Sequence, residues 1–208
     1  MIVVDRKKLF YYIIFLFVIG AFFGLVFESL LISIKEKKFI TKPGLWHTGL
    51  KPIYGIGILL STLIFNKYQD KNILITFIGS IIICTIFEYF ASVFQEYVLH
   101  TSTWNYDGKR IDVIASITWG IFSSVWIKYG LNIFTNIFNK IYTRPFKVIT
   151  ILLFLFLIFD ITKTSAIVNR YSKRKRGIEA TTKMDKHIDK TYKNSKIEEK
   201  FPNLRVKT

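Results

Sequence analysis

Residues 73–94 read ILITFIGSIIICTIFEYFASVF, an apolar stretch in which Glu88 is the single charged side chain. An α-helix needs about 20 mostly apolar residues to cross a bilayer, so this stretch is long enough to span one. Small and polar residues recur in and after it at four-residue steps: Ser80, Cys84, Glu88, Ser92, Glu96 and His100. Such steps keep side chains on one slowly drifting helix face, so the stretch predicts a membrane helix with a polar stripe.

Two other segments carry the same kind of row. The apolar segment 9–33 contains Gly20, Gly24 and Glu28, and the segment after residue 110 begins with Asp112, Ser116, Gly120 and Ser124. Ionisable groups are costly in a bilayer, so they usually face the protein interior and mark a site or a pathway. The sequence therefore predicts a polar core formed by Glu28, Glu88, Ser92, Glu96, Asp112 and Ser116.

These segments predict an all-α fold, a polytopic transmembrane helical bundle. The composition agrees, because 51% of the 208 residues are hydrophobic and they come in blocks rather than along one helix face. The predicted membrane segments lie near residues 9–33, 52–66, 73–94, 111–130 and 147–168. The second and fifth contain short apolar runs, so we expect four to five spans. Residues 1–168 form the predicted membrane domain, and residues 169–208 form a basic tail that is a polar helix or disordered.

The charge distribution predicts an orientation. The chain has 30 Lys and Arg against 14 Asp and Glu, a net charge of +16. With five spans, residues 35–51 and the tail lie on the side with more Lys and Arg. Because positively charged loops stay in the cytoplasm, we expect a multi-pass protein of the cell membrane with its N-terminus outside and its C-terminus inside. The expected partner of the tail is the lipid bilayer, and no nucleic acid is expected, since no aromatic or glycine pattern accompanies the charge.

Glycines predict close helix packing. Gly20 and Gly24 form a GxxxG pair, which lets two helix backbones approach each other. PIYGIG, residues 52–57, places Pro in the first turn of the second helix, followed by two glycines. The predicted packing residues are Gly20, Gly24, Pro52, Tyr54, Gly55, Gly57 and Gly120.

The end of the third segment carries groups that suit acid–base chemistry. Glu96 and His100 share one helix face, and Asp107 and Arg110 follow in an interfacial loop. These four residues are the candidate catalytic groups if the protein is an enzyme. The simpler interpretation is that Glu88 or Glu96 pairs with Arg110 or with a loop lysine.

Neither a metal nor a nucleotide site is predicted. A metal needs three or four convergent ligands, which this helix alone cannot supply. PIYGIG contains only GxG, without the third glycine and preceding strand of a dinucleotide site, and the sequence contains no GxxxxGK[ST] motif. We therefore expect no cofactor, and any ATPase would be a separate subunit.

In this order, the motifs resemble a bacterial family, the CmpB-like ABC-transporter permeases. The similarity covers about residues 10–131 and includes Glu28, Gly44, PIYGIG at 52–57, Glu88-Tyr89, Glu96 with His100, Trp104 to Tyr106, Gly108, Arg110, and Ser116 with Trp119-Gly120. The chain departs from the family at Gly49-Leu-Lys51, where a Gly-Pro pair usually precedes PIYG, and the basic tail is an addition. The resemblance implies a membrane-embedded permease subunit.

Three functions remain open. The favoured hypothesis is a transport subunit that needs a separate nucleotide-binding ATPase. Because five helices are few for a translocation path, it would also form a homo-oligomer. The second is a membrane-embedded enzyme that acts on a lipid-linked or peptide substrate. The third is a non-catalytic membrane scaffold in which every charge is paired.

Overall fold

The computed structural model describes residues 4–103 and 109–207, and most of these residues are helical. Within those ranges the α-helices are α1 (Arg6–Glu36), α2 (Pro52–Phe65), α3 (Ile73–Leu99), α4 (Val113–Val125), α5 (Leu131–Ile141), α6 (Arg144–Lys175), α7 (Lys183–Thr191) and α8 (Asn194–Lys200). A 3-10 turn (Asn66–Tyr68) follows α2, and a π-helical turn (Trp126–Gly130) joins α4 to α5. Two short strands, β1 (Thr101–Ser102) and β2 (Arg205–Val206), pair in antiparallel fashion.

Three of the described helices, α1, α3 and α6, are long and apolar enough to cross a membrane. They correspond to the predicted segments 9–33, 73–94 and 147–168. In contrast, α2 has 14 residues and α4 has 13, both short of the about 20 that a perpendicular span needs. The predicted segment 111–130 is divided because its α-helix ends at Val125 and a π-helical turn follows. A membrane-crossing role for α2 and α4 therefore stays a prediction.

The first four helices pack as two consecutive antiparallel pairs. Along α1, Gly20 lies against Ile58 of α2, whereas Gly24, one turn later, lies against the earlier residue Tyr54. The same reversal joins α3 to α4, because Ser116 binds Thr85 while Gly120 lies against the earlier residues of α3. The loop after α1 binds Asp160 and Thr164 of α6, and Ser172 of α6 binds the His100 carbonyl at the end of α3. The loop after α1, the loop after α3 and the tail after α6 therefore lie at one end of the bundle.

The contact between α1 and α2 requires glycine. A Cβ atom added at Gly24 would lie 2.3 Å from ring atoms of Tyr54, and one added at Gly55 would lie 2.7 Å from the carbonyl oxygen of Phe17. Both distances are far below a normal carbon contact. Among the predicted packing residues, Gly20, Gly24 and Gly55 thus lie where two helix backbones approach.

The tail folds back onto the membrane domain. A buried cluster joins α6 to the tail through Ile167, Val168, Tyr171, Ile188, Ile197, Phe201 and Leu204. In the strand pair, Thr101 lies opposite Val206, and the Lys207 backbone N–H donates to the His100 carbonyl at 2.9 Å. The described part of residues 169–208 therefore packs as a cap on α6, which offers an apolar surface to the tail.

Two arginines of α6 fix the cap in place. The Arg170 side chain is 3% exposed, and its Nη2 donates to Asp189 Oδ2 of α7 at 2.6 Å. Arg174 Nη1 donates to the other oxygen of the same carboxylate at 2.5 Å. The hydrogen bond from Arg170 is the main cause that lowers the pKa of Asp189 below its ordinary value of 3.8.

Acid is expected to release the cap. Because the pKa of Asp189 is lowered in the folded protein, its stabilising contribution is complete above pH about 4 and is lost as the pH falls through the folded-state pKa. Hydrogen exchange of the amides in α7, corrected for the intrinsic rate, should therefore accelerate below that pH. We expect Asp189→Asn to show fast exchange already at pH 7, whereas the exposed Asp70→Asn should behave as wild type. Unchanged protection at pH 3 would contradict this assignment.

Candidate functional site

A cavity of 690 Å³ lies at the end of the bundle that carries the cap. Its walls come from the second half of α1, residues 42–44 of the following loop, residues 51–54 at the start of α2, Glu88 of α3, Asp112 and one side of α4, and residues 200–205 of the cap. The cavity therefore connects the membrane domain with the tail.

Glu28 lies in this wall and binds two lysines. Its Oε2 is 2.9 Å from Lys42 Nζ and 3.0 Å from Lys51 Nζ. Lys51 precedes Pro52 at the start of α2, and its backbone N–H donates to the Ala21 carbonyl of α1 at 3.1 Å. Burial lowers the pKa of the Lys51 ammonium, and Glu28 opposes that shift. The attraction between Glu28 and the lysines offsets the cost of burying their charges. A lone carboxylate in an apolar helix would pay that cost without compensation.

Glu88 lies deeper and holds a tryptophan. Its side chain is only 4% exposed, and its Oε2 accepts a hydrogen bond from Trp119 Nε1 of α4 at 3.1 Å. The six-membered ring of Trp119 lies directly over Gly57, where an added Cβ would be 2.6 Å from a ring carbon. The ring centroid of Tyr54 is 5.0 Å from that of Trp119. Gly57 thus makes room for the indole that reaches Glu88.

The other predicted polar-core residues support α4 or lie beside the cavity. Asp112 caps α4, since its Oδ2 accepts from the Ala115 N–H at 3.1 Å. Ser116 accepts a hydrogen bond from Thr85 at 2.8 Å and donates to the Asp112 carbonyl at 3.0 Å. Ser92 is buried on α3. Asp112 and Glu88 line the cavity, whereas Ser92 and Ser116 lie outside its described wall.

Three of the candidate catalytic residues, Glu96, His100 and Arg110, lie in the described part of the chain and do not line the cavity. Glu96 Oε2 binds Arg110 Nη1 at 2.5 Å, which is the pairing that the simpler interpretation predicted. His100 ends α3 in a left-handed conformation, with φ of 50°, and its carbonyl accepts from Lys207 N and Ser172 Oγ. Asp107 lies outside the described residues. In residues 4–103 and 109–207, no three His, Cys, Asp or Glu side chains group closely enough to hold a metal ion.

Asp160 of α6 is a buried carboxylate that was not predicted to be part of the site. It is fully buried and accepts hydrogen bonds from His47 N at 3.0 Å, Thr48 N at 2.8 Å and Thr48 Oγ1 at 2.8 Å. It thereby holds the loop that delivers Lys51 to Glu28. The available signal was the acidic residue inside the predicted segment 147–168, where an unpaired carboxylate would be costly.

Comparison with protein families gives one match. The family described as "Putative ABC-transporter type IV", or CmpB, matches residues 15–165. This range includes Glu28, Lys51, Glu88 and Asp160, and it ends within α6, before the cap. No curated protein and no solved structure matches the chain. The resemblance to the CmpB-like family is thus confirmed, and the chain belongs to that family.

Proposed function

We propose that this protein is the membrane subunit of an ABC-type transporter and that the cavity holds the transported molecule on its path. In this proposal a separate P-loop ATPase supplies the energy, since the sequence contains no GxxxxGK[ST] motif. Family membership and the three apolar helices support a membrane transport role. The cavity lined by buried charged groups carries the proposal, because ionisable groups inside membrane segments usually mark a substrate or ion pathway.

The proposal includes five crossings, by α1, α2, α3, α4 and α6. The antiparallel pairing of α1 with α2 and of α3 with α4 supports this path of the chain. The cavity then opens on the side of the cap, where basic side chains gather at Lys35, Lys42, Lys51, Lys200 and Arg205. The positive-inside rule assigns that side to the cytoplasm. A homo-oligomer would complete the translocation path, because one bundle of five helices encloses little space.

Co-purification tests the need for an ATPase. The protein with an affinity tag would be isolated from its native membrane in a mild detergent and passed through gel filtration. We expect a P-loop ATPase to elute with it in a fixed ratio. Elution of the chain alone or only with copies of itself, at any detergent concentration that keeps it folded, would contradict the transporter proposal.

Neutralising Glu88 is expected to abolish transport without unfolding the protein. Glu88→Gln keeps the size of the side chain and an oxygen that can accept from Trp119, but it removes the charge. We expect the ATPase activity of the reconstituted complex to become uncoupled from transport, with at least about a tenfold loss of flux. Glu36→Gln, at the exposed end of α1, is the matched control. Equal flux in both variants would remove Glu88 from the pathway.

A further inference from the structure

The cavity carries more positive than negative charge. Among the residues that the structure describes, five basic and three acidic side chains line it. Two of the acids are already engaged, Asp112 with the N-terminus of α4 and Glu88 with Trp119. Among the residues that the structure describes, Lys35, Lys200 and Arg205 form no ion pair. The remaining charge therefore suits an anion.

Part of this excess lies at the two lysines on Glu28, of which Lys42 is 33% exposed and Lys51 is 10% exposed. Lys42 and Lys51 converge on the same oxygen of Glu28, so one carboxylate faces two ammonium groups. The Lys51 side chain is only 10% exposed, which limits its access to water. Buried cations are normally matched one to one, and an unmatched charge is costly. A second anion at this position would complete the pairing.

The wall between α1 and α4 is apolar and continues to the outer surface of the bundle. Phe122 of α4 contacts Phe23 and Phe27 of α1, with ring centroids 5.0 and 4.7 Å apart, so the two helices touch there. Leu31 and Ile114 also line the cavity, yet they are 52% and 74% exposed. In a chain that spans a membrane, such exposed apolar side chains face lipid. The cavity thus extends from Lys42 and Lys51 to exposed apolar side chains on the outer surface of the bundle.

We propose that the cavity binds an anionic amphiphile, with a phosphate or carboxylate head group on Lys42 and Lys51 and a hydrocarbon chain along Phe27, Leu31 and Ile114. This inference rests on the proposed function only where it identifies the bound amphiphile as the class of molecule that is transported. The head group would supply the second anion for the lysine pair, and its chain would occupy the apolar wall. Charge-assisted hydrogen bonds make an ammonium pair a strong site for such oxygens.

Binding to the purified protein tests the inference without any ATPase. The full chain would be kept in dodecyl maltoside, a neutral amphiphile, and titrated with dodecyl phosphate and separately with inorganic phosphate. Native mass spectrometry would count the adducts. We expect one dodecyl phosphate per chain, with an affinity at least about tenfold higher than that for inorganic phosphate because the chain adds apolar contact. Equal affinity for dodecyl phosphate and inorganic phosphate would show that the site recognises only the anionic group. That result would overturn the proposal that the ligand is an amphiphile.

Substitution of the lysines locates the site. Lys51→Gln leaves Lys42 and Glu28 as a one-to-one pair, so we expect a folded protein with on the order of tenfold weaker binding of dodecyl phosphate. Lys42→Gln leaves Lys51 and Glu28 as a pair. This second variant tests the site if Lys51→Gln fails to fold. Lys140→Gln, on the exposed face of α5, is the control and should bind as wild type. Unchanged binding in a folded Lys42 or Lys51 variant would overturn the site, whereas failure to find an ATPase would affect only the transporter proposal.

Discussion

Asp160→Ala is expected to lower the free energy of unfolding by about 3–5 kcal/mol, because it removes the acceptor of several hydrogen bonds, and a hydrogen bond to a charged group contributes about 1.5–3 kcal/mol. The carboxylate is fully buried and accepts from two backbone N–H groups and one hydroxyl of residues 47 and 48. Without it, those donors lose their partner, and each buried unsatisfied donor costs about 1–3 kcal/mol. Lys51 follows in the same loop, so the lysine pair on Glu28 should loosen as well.

The loss can be measured as a shift in apparent unfolding temperature in a fixed detergent. Asp5→Ala is the matched control, because Asp5 also accepts from a backbone N–H, that of Lys7 at 2.8 Å, but at an exposed helix start. Removing the side chain of such a helix N-cap residue costs about 1 kcal/mol. If both variants lose the same small amount of stability, the Asp160 network does not hold the loop as described.

The second large effect is expected from Gly55→Ala, which should force α1 and α2 apart. The added Cβ would lie 2.7 Å from the carbonyl oxygen of Phe17, a backbone atom that cannot rotate away. Overpacking of this kind costs about 1–3 kcal/mol, more than the helix propensity of about 1 kcal/mol gained by replacing glycine. We expect a lower unfolding temperature and weaker binding of dodecyl phosphate, since the start of α2 carries Lys51.

Gly79→Ala provides the comparison. There the added Cβ meets the outer ring atoms of Phe65 at 2.6 and 2.7 Å, and a ring can tilt where a backbone oxygen cannot. We therefore expect Gly79→Ala to change the unfolding temperature much less than Gly55→Ala. Similar losses in the two variants would mean that the α1–α2 contact has room to adjust.

The sequence predicts the long helices well and the short ones less well. α1 and α3 follow from apolar runs of spanning length, and the four-residue rows place Glu28 and Glu88 on helices that both reach the cavity. The division of segment 111–130 could not be predicted, because the π-helical turn at Trp126–Gly130 begins inside the uncharged run 113–127 and no proline marks it. Hydrophobicity reports burial in lipid or protein, but it does not report helix type.

Asp160 and the cap could not be predicted because they depend on contacts between residues that are distant in the sequence. Asp160 and its partner His47 are 113 positions apart, so no local pattern joins them. The folding of the cap could not be predicted either, because its apolar residues, such as Ile188 and Ile197, occur singly among charged residues. Isolated apolar residues in a basic segment are typical of disorder, unless another element offers them a surface. Here α6 extends to Lys175 and provides that surface.

The anchoring of residues 47 and 48 by α6 also sets an order for assembly during synthesis. The loop leaves the ribosome more than one hundred residues before Asp160 does. Until α6 enters the membrane, that loop lacks its buried acceptor and cannot hold Lys51 firmly against Glu28. A chain whose translation stalls before residue 160 would therefore leave this loop without the carboxylate that holds it.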